Sequence, residues 1–517
     1  MIKKLILLLS SLLIVYNVSA QTRALEEKFF PEPDIEIPTP AFQKSELLGF
    51  TKYKEMVKYV TLLTEGNDFV KLDEIGESQK GRDIIRLRIN KPSNNKKIRV
   101  WLQGGLHGNE PASSEGVMFI LYSLLKNPDY AYLLDRLDIM VLPMANADGF
   151  NNQNRFSANG LDLNRDFIKM EAPETNAIRK AFSEFSPQVA IDFHEYNPYR
   201  THFTYFGERG ITTYYDAFFL YSNNLNVNPI IRETTKSLLV NNAKQELIEN
   251  GRHVSDYSST KIKHGHIHFN QGGSSPRSTS TNYALSNCLA VLMEIRGVNL
   301  KRISFKRRVQ TTFLAGMSYL KTAYEHGDSI RSVIERANIS TANLNEPVVI
   351  KQKKPIVESE YTCIDLATEE KEVIKVAMTD GLMMEIEESR TRPFAYILLP
   401  EEEKAVEKLK KLGCTVDQLS TNKTIKVEAY QVLKNNESVI KWEKIYLRSL
   451  KTKVEETTKD FPKGSFIVYM TQEHANILPS ALEPENDNSF FTFRVIDGAF
   501  TKGDELPVYR YMMKQKI

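Results

Sequence analysis

Several things are scarce in this 517-residue chain, and each scarcity excludes something. There are three cysteines, Cys288, Cys363 and Cys414. Three thiols cannot frame a disulfide-built scaffold, and they cannot all pair with one another. Cys288 lies in an apolar helical run and reads as a buried thiol, while a Cys363–Cys414 bridge stays open. Net charge is also scarce: 68 basic side chains face 65 acidic ones, leaving +3. That balance has none of the basic excess that binds nucleic acid, so no such partner is expected. No repeat or low-complexity tract is present, which argues against a solenoid or a disordered tether. Beyond residue 20 no apolar run is long enough to span a bilayer.

What is present is a globular chain with an export address. Lys3 and Lys4, the apolar run Leu5 to Val15 and the small residues Val18-Ser19-Ala20 read as a signal peptide over 1–20. No cysteine follows it to carry a lipid. The product is therefore expected to be exported, periplasmic or secreted, with no transmembrane segment after signal removal. Residues 21–45 hold Pro31, Pro33, Pro38 and Pro40 and read as an extended N-terminal arm.

Apolar strand-like runs alternate with helical periodicities from 46 to 326. That alternation predicts an α/β unit, a mixed, largely parallel sheet with helices on both faces. Helices are expected over 51–65, 112–126, 174–185, most of 213–250 and 303–326. Strands are expected within 69–90 and over 98–103, 137–143, 189–193, 264–269 and 291–295. The polar stretch 327–350 reads as a linker. Residues 351–517 then carry β-rich runs, among them 425–432, 444–454, 465–470, 490–495 and 508–512, around a charged helix at 400–412. They predict a smaller C-terminal α+β, β-rich accessory domain.

The chemistry gathers at strand ends. Gly104-Gly105-Leu106-His107-Gly108-Asn109-Glu110-Pro111 leaves one apolar strand and enters a helix, with Pro111 suited to the first helical turn. In open α/β sheets ligands bind at such ends. An imidazole and a carboxylate three residues apart on a turn can share a zinc ion. Asn164-Arg165, His194 and Glu294 lie at or near the ends of further apolar segments. Taken alone, each has an ordinary reading: solvated loop residues, a turn with a surface cation, or a Glu294–Arg296 structural pair. Zinc hydrolases need three protein ligands, an open position, a carboxylate base and a group that holds the substrate. The set supplies one candidate for each role.

Over about residues 50–325 the motifs also occur in the order of a known family. The chain resembles the zinc carboxypeptidases of carboxypeptidase A type. Gly104 to Glu110 resembles their first metal motif. Asn146-Ala147-Asp148-Gly149 is similar to their Asn-Pro-Asp-Gly. Gly160-Leu161-Asp162-Leu163-Asn164-Arg165-Asp166-Phe167 resembles their Asn-Arg motif. Asp192-Phe193-His194 and Glu294-Ile295-Arg296-Gly297 resemble the third-ligand and catalytic-glutamate strands. The resemblance implies one zinc ion held by His107, Glu110 and His194, with Glu294 as general base. It implies that Arg155 stabilises the oxyanion and that Asn164 and Arg165 grip a substrate carboxylate.

The family's mobile tyrosine has no counterpart in Gly272-Gly273-Ser274-Ser275. Tyr283 is the nearest substrate-binding candidate and Tyr257 a second. Arg277 reads either as a pocket residue or as a loop cation. His264, His266 and His268 share a strand face. The implied function is an exported zinc metallocarboxypeptidase acting on a peptide or peptide-like substrate with a free carboxylate. A murein-stem amidase or an N-acyl amino acid deacylase would keep the zinc triad and Glu294. A non-catalytic binding protein would be expected to lack a ligand or the base. No oligomeric state follows from the sequence.

Overall fold

The computed structural model describes residues 22–43, 49–263 and 265–517. The signal segment 1–20 and His264 lie outside the described residues. Eleven strands precede residue 300: β1 Val70–Glu77, β2 Asp83–Ile89, β3 Ile98–Gly104, β4 Leu137–Leu142, β5 Val189–Tyr196, β6 Ile211–Thr213, β7 Ala217–Tyr221, β8 Val254–Asp256, β9 Ser258–Lys263, β10 His266–Gln271 and β11 Leu289–Arg296. Eight of them form one sheet in the order β1-β2-β4-β3-β5-β11-β7-β8. The central run β4-β3-β5-β11 is parallel, whereas β1–β2, β2–β4 and β11–β7 pair antiparallel and β7–β8 is parallel.

Burial explains the apolar runs. Strands β4 and β5 are buried along their whole length, as strands covered by helices on both faces must be. On one face, Pro111–Lys126 packs against the 21-residue helix Phe305–Glu325. On the other, Pro173–Phe185 brings Phe182 edge-on to Trp101 of β3, with ring centroids 5.5 Å apart. Sheet and helices are thus those expected of an α/β zinc carboxypeptidase-like unit.

Four local expectations are corrected. The arm is not extended throughout, because residues 22–29 are helical. The region 213–250 is not mainly helical at its start, where β7 is a fully buried strand. The 327–350 stretch contains a helix, Gly327–Asn343, whose buried Ile330, Val333, Ala337 and Thr341 follow the 3.6-residue period. Their polar neighbours on the exposed face hide that period. The segment 490–495 is not a strand; Phe490, Phe491 and Phe493 are buried in a turn-rich loop.

The C-terminal part contributes β12 Val348–Lys353, β13 Ile356–Asp365, β14 Lys371–Asp380, β15 Glu385–Arg390, β16 Ala395–Leu398, β17 Asp417–Gln418, β18 Lys423–Glu437, β19 Arg448–Phe461, β20 Phe466–Tyr469 and β21 Glu505–Tyr511. It is β-rich as expected, yet a boundary at 351 cuts through a sheet. Strand β13 pairs with β6 and β14 with β10, so residues 211–271 and 356–380 share five strands. The two-stranded sheet β12-β15 and the six-stranded sheet β17-β20-β16-β21-β18-β19 are built from C-terminal strands alone. One apolar cluster joins both parts, from Met56 to Val508. Cys288, Cys363 and Cys414 are all buried free thiols. Among the described residues no helix is long and apolar enough to cross a membrane.

Candidate active site

Three parallel strands deliver the site to one edge of the sheet. In the β5–β11 register Glu294 stands beside His194, and β3 runs along the other side of β5. Strand β3 ends at Gly104, and Gly105 turns the chain with φ +69°. The His107–Glu110 loop then lies directly against the Asn146–Gly149 turn, where a Cβ on Gly108 would be 2.0 Å from the Gly149 carbonyl carbon. Asn146 ties the two together: its Oδ1 accepts from Gly149 N at 2.9 Å and its Nδ2 donates to Leu106 O at 3.3 Å. Pro111 opens the following helix, as expected. The free N–H of Ala112 in its first turn donates to Glu195 Oε2 at 2.9 Å.

Within this frame His107, Glu110 and His194 converge, each with 2% or less of its surface exposed. Glu110 Oε1 is 2.8 Å from His107 Nδ1, and its Oε2 is 2.9 Å from His194 Nδ1. The two Nδ1 atoms are 3.0 Å apart. The outer nitrogens face carboxylates: His107 Nε2 lies 3.0 Å from Asp162 Oδ1 and His194 Nε2 lies 2.8 Å from Asp192 Oδ2. Carboxylates there hold the Nε2–H tautomers and turn both Nδ1 lone pairs inward. Two lone pairs and a buried carboxylate facing one point call for a cation. Ligand atoms from the three side chains all lie within 4.8 Å of one another, so the triad can hold a metal ion. Two imidazoles and one carboxylate are a donor set that suits zinc.

The charges agree. Burial pushes the Glu110 carboxyl up, but His107 and His194 more than reverse this and hold it far below the carboxylate range. Burial pushes Asp162 up too, and again His107, with Arg155, more than reverses it. His194 is raised despite burial by Asp192 and Glu110. Glu294 moves the opposite way. Burial first, and then the charge of Glu110, raise its carboxyl above the usual value. Arg296 is not its partner: that guanidinium pairs with Glu26 of the N-terminal arm at 2.5 Å.

Arg155 joins the same cluster. Its Nη2 and Nε donate to Asp162 Oδ2 at 2.9 and 3.1 Å, and its Nη1 lies 3.1 Å from His107 Nδ1 and 3.3 Å from Glu110 Oε1. Asn164 is buried, and its Oδ1 accepts from Thr279 N at 3.0 Å. Arg165 donates to Asn164 O at 2.8 Å and forms no ion pair among the described residues.

Tyr283 is not part of the site. It is 1% exposed, its ring stacks on Phe182 at 3.8 Å and its hydroxyl donates to Gln103 Oε1 at 3.2 Å. It fills the core between sheet and helix. Tyr257, between β8 and β9, is close enough to Glu294, Arg165 and Arg155 to feel their charges. His266 and His268 join no metal-binding group among the described residues.

Asp192 and Asp162 are partners of His194 and His107 that the motifs alone do not announce. Asp192 is legible with hindsight, since it stands two residues before His194 on the same strand face. Asp162 reaches His107 across 55 residues with no spacing rule to signal it. More distant still is Glu443, from the turn between β18 and β19. Its Oε1 accepts from Asp162 N at 3.0 Å across 281 residues.

The sequence pattern described as zinc carboxypeptidase matches residues 56–297. Carboxypeptidase 2 of Trichophyton equinum is 30% identical over 480 residues, covering 89% of this chain and 87% of that protein. Carboxypeptidase 2 of Trichophyton rubrum is 29% identical over 477 residues, again covering 89% and 87%. Among solved structures, a metallo-carboxypeptidase from Burkholderia cenocepacia is 17% identical with a TM-score of 0.41, covering 54% of this chain and 70% of that one. The pattern spans every strand that carries the cluster, and the Trichophyton relatives match almost from end to end: this chain belongs to the zinc carboxypeptidase family.

Proposed function

We propose that the protein is an exported metallocarboxypeptidase that releases residues from the free C-terminus of peptides. His107 Nδ1, His194 Nδ1 and the Glu110 carboxylate would hold one zinc ion. When bound, zinc supplies a Lewis acid that acidifies water and polarises a carbonyl. Glu294 takes the proton from the attacking water and passes it to the departing amine. A carboxyl whose affinity for protons is raised by burial and by Glu110 suits that exchange. Arg155, fixed by Asp162, offers N–H donors where negative charge develops on the carbonyl oxygen. Arg165, which has no carboxylate of its own among the described residues, grips the terminal carboxylate as a bidentate fork, beside Asn164. Export rests on the composition of residues 1–20.

The convergence of two inward-facing Nδ1 atoms and a buried carboxylate beside Glu294 carries this reading. Its test is a mixed peptide library, half with free and half with amidated C-termini, followed by mass spectrometry with and without a chelator. Loss of single C-terminal residues from the free half alone, abolished by chelator, is the expected result. Equal trimming of both halves would remove the role given to Arg165.

A further inference from the structure

A second guanidinium, that of Arg277, lies within electrostatic reach of Arg165. The loop holding Arg277 is laced to the Asn164–Phe167 segment: Phe167 N donates to Arg277 O at 3.2 Å and Thr279 N to Asn164 Oδ1 at 3.0 Å. Burial first, and then the charge of Arg165, make the Arg277 guanidinium easier to deprotonate than usual, so the two cations are near neighbours. Arg277 Nε donates to Ser275 Oγ at 3.2 Å. Among the described residues no carboxylate forms an ion pair with Arg277. Of the acids that act on it, Glu443 is engaged, with Oε2 at 3.1 Å from Lys169 Nζ and Oε1 on Asp162 N, Asp162 pairs with Arg155, and Asp487 is exposed to solvent.

The guanidinium is held from the C-terminal part of the chain. Trp442, in the turn between β18 and β19, lies 4.9 Å from Arg277 Cζ, and Phe493 lies 5.8 Å away. The two rings brace each other at 5.6 Å. Lys444 in the same turn donates to Asn159 O and pins that turn to the loop before Asp162. Aromatic faces orient a guanidinium without neutralising it. A half-buried cation so placed, without a direct ion pair, gains from an anion that joins it.

We propose that Arg277, braced by Trp442 and Phe493, selects substrates whose C-terminal residue carries an acidic side chain. Arg165 takes the terminal carboxylate and Arg277 the second carboxylate of a departing glutamate or aspartate. This rests on the carboxypeptidase reading above. It also gives the C-terminal part of the chain a role in specificity, because Trp442 and Phe493 wall the side of the pocket that sets preference.

The test uses the full zinc-loaded chain and peptides identical except for a C-terminal Glu, Asp, Gln, Leu or Lys. Glu- and Asp-ended peptides should exceed the Gln-ended one in kcat/KM by about 30-fold or more. Arg277→Gln should collapse that ratio toward one, and Arg277→Glu should move the preference to Lys. Chelator-sensitive trimming with Gln or Leu favoured in the wild-type chain would overturn the role of Arg277 and leave the carboxypeptidase reading standing. Trimming of none of the peptides would count against that reading instead. Calorimetry on Glu294→Gln then decides separately, because equal affinity for Glu- and Gln-ended peptides would overturn the selection whatever the turnover.

Discussion

Glu110 and Glu483 are both buried carboxylates, one in each half of the molecule, and their surroundings differ in kind. Glu483 meets matched donors: Arg390 Nη1 at 2.8 Å and the Tyr396 hydroxyl at 2.8 Å. Arg390 also reaches Glu485 at 2.8 Å, and Glu485 in turn accepts from Thr452 N. Every charge there has its partner inside the chain. Glu110 faces two imidazole nitrogens whose rings turn their outer nitrogens toward Asp162 and Asp192. A closed pair holds a fold together, whereas an inward set of unshared lone pairs is prepared for something the chain does not contain. The same contrast separates Arg390, paired with Glu388, Glu483 and Glu485, from Arg165 and Arg277, which have no ion pair among the described residues.

Substitutions that open the closed set and spoil the prepared one should part company. The largest effect is expected from His194→Ala. It should reduce zinc from one ion per chain to about a tenth or less and abolish trimming, read by elemental analysis and peptide mass spectrometry. Retained stoichiometric zinc would break the comparison. Arg390→Met comes next. It takes the cation from Glu485 and the nearer one from Glu483, leaving that group Arg510 Nε at 3.6 Å, and should cost about 3–5 kcal/mol in denaturant unfolding, while zinc content per folded chain stays unchanged. Loss of zinc from the folded fraction would show that the two halves are not energetically distinct.

Asp192→Asn should act mainly on the prepared set, since the amide oxygen can still accept one of the two bonds that Asp192 takes from Gln103 Nε2 and Thr279 Oγ1. It should weaken zinc affinity about 10- to 100-fold in competition with a chelator, with only a small change in unfolding. The smallest effect concerns His474, near Arg179 at the junction of the two halves. Burial, and then the charge of Arg179, hold its imidazole down at about 4, against 6.5 for an ordinary histidine. Between those values the unfolded chain binds the extra proton, so stability rises with pH and is lost as pH falls from about 6.5 toward 4. The slope is at most about 1.4 kcal/mol per pH unit. Denaturant unfolding at steps between pH 6.5 and 4.5 should show it, and His474→Gln should flatten it. An unchanged slope in that variant would assign the pH dependence to other groups.

Much of the first half is legible because its signals are local. Apolar runs mark β3, β4, β5 and β11, since a strand covered on both faces has no polar alternation to show. His107, Glu110, Asn164, Arg165, His194 and Glu294 belong to short motifs at or near the ends of such segments. Tyr283 misleads because distance along the chain from Glu294 is its only credential. A six-residue helix, Thr279–Ala284, turns it into the core against Phe182. The helix Gly327–Asn343 escapes notice because a period half covered by polar residues resembles a linker until its apolar face finds a partner.

Local pattern was enough to mark the apolar strands β3, β4, β5 and β11, turns such as Gly105 and Pro111, and the chemistry each turn offers. These depend on backbone preference and on side-chain period over a few residues. Tertiary structure alone decided that Asp162 would hold His107, that Glu443 would bond to Asp162, and that Trp442 would brace Arg277. Those contacts close long loops, and their geometry follows from how the sheets and helices pack, which no local pattern encodes.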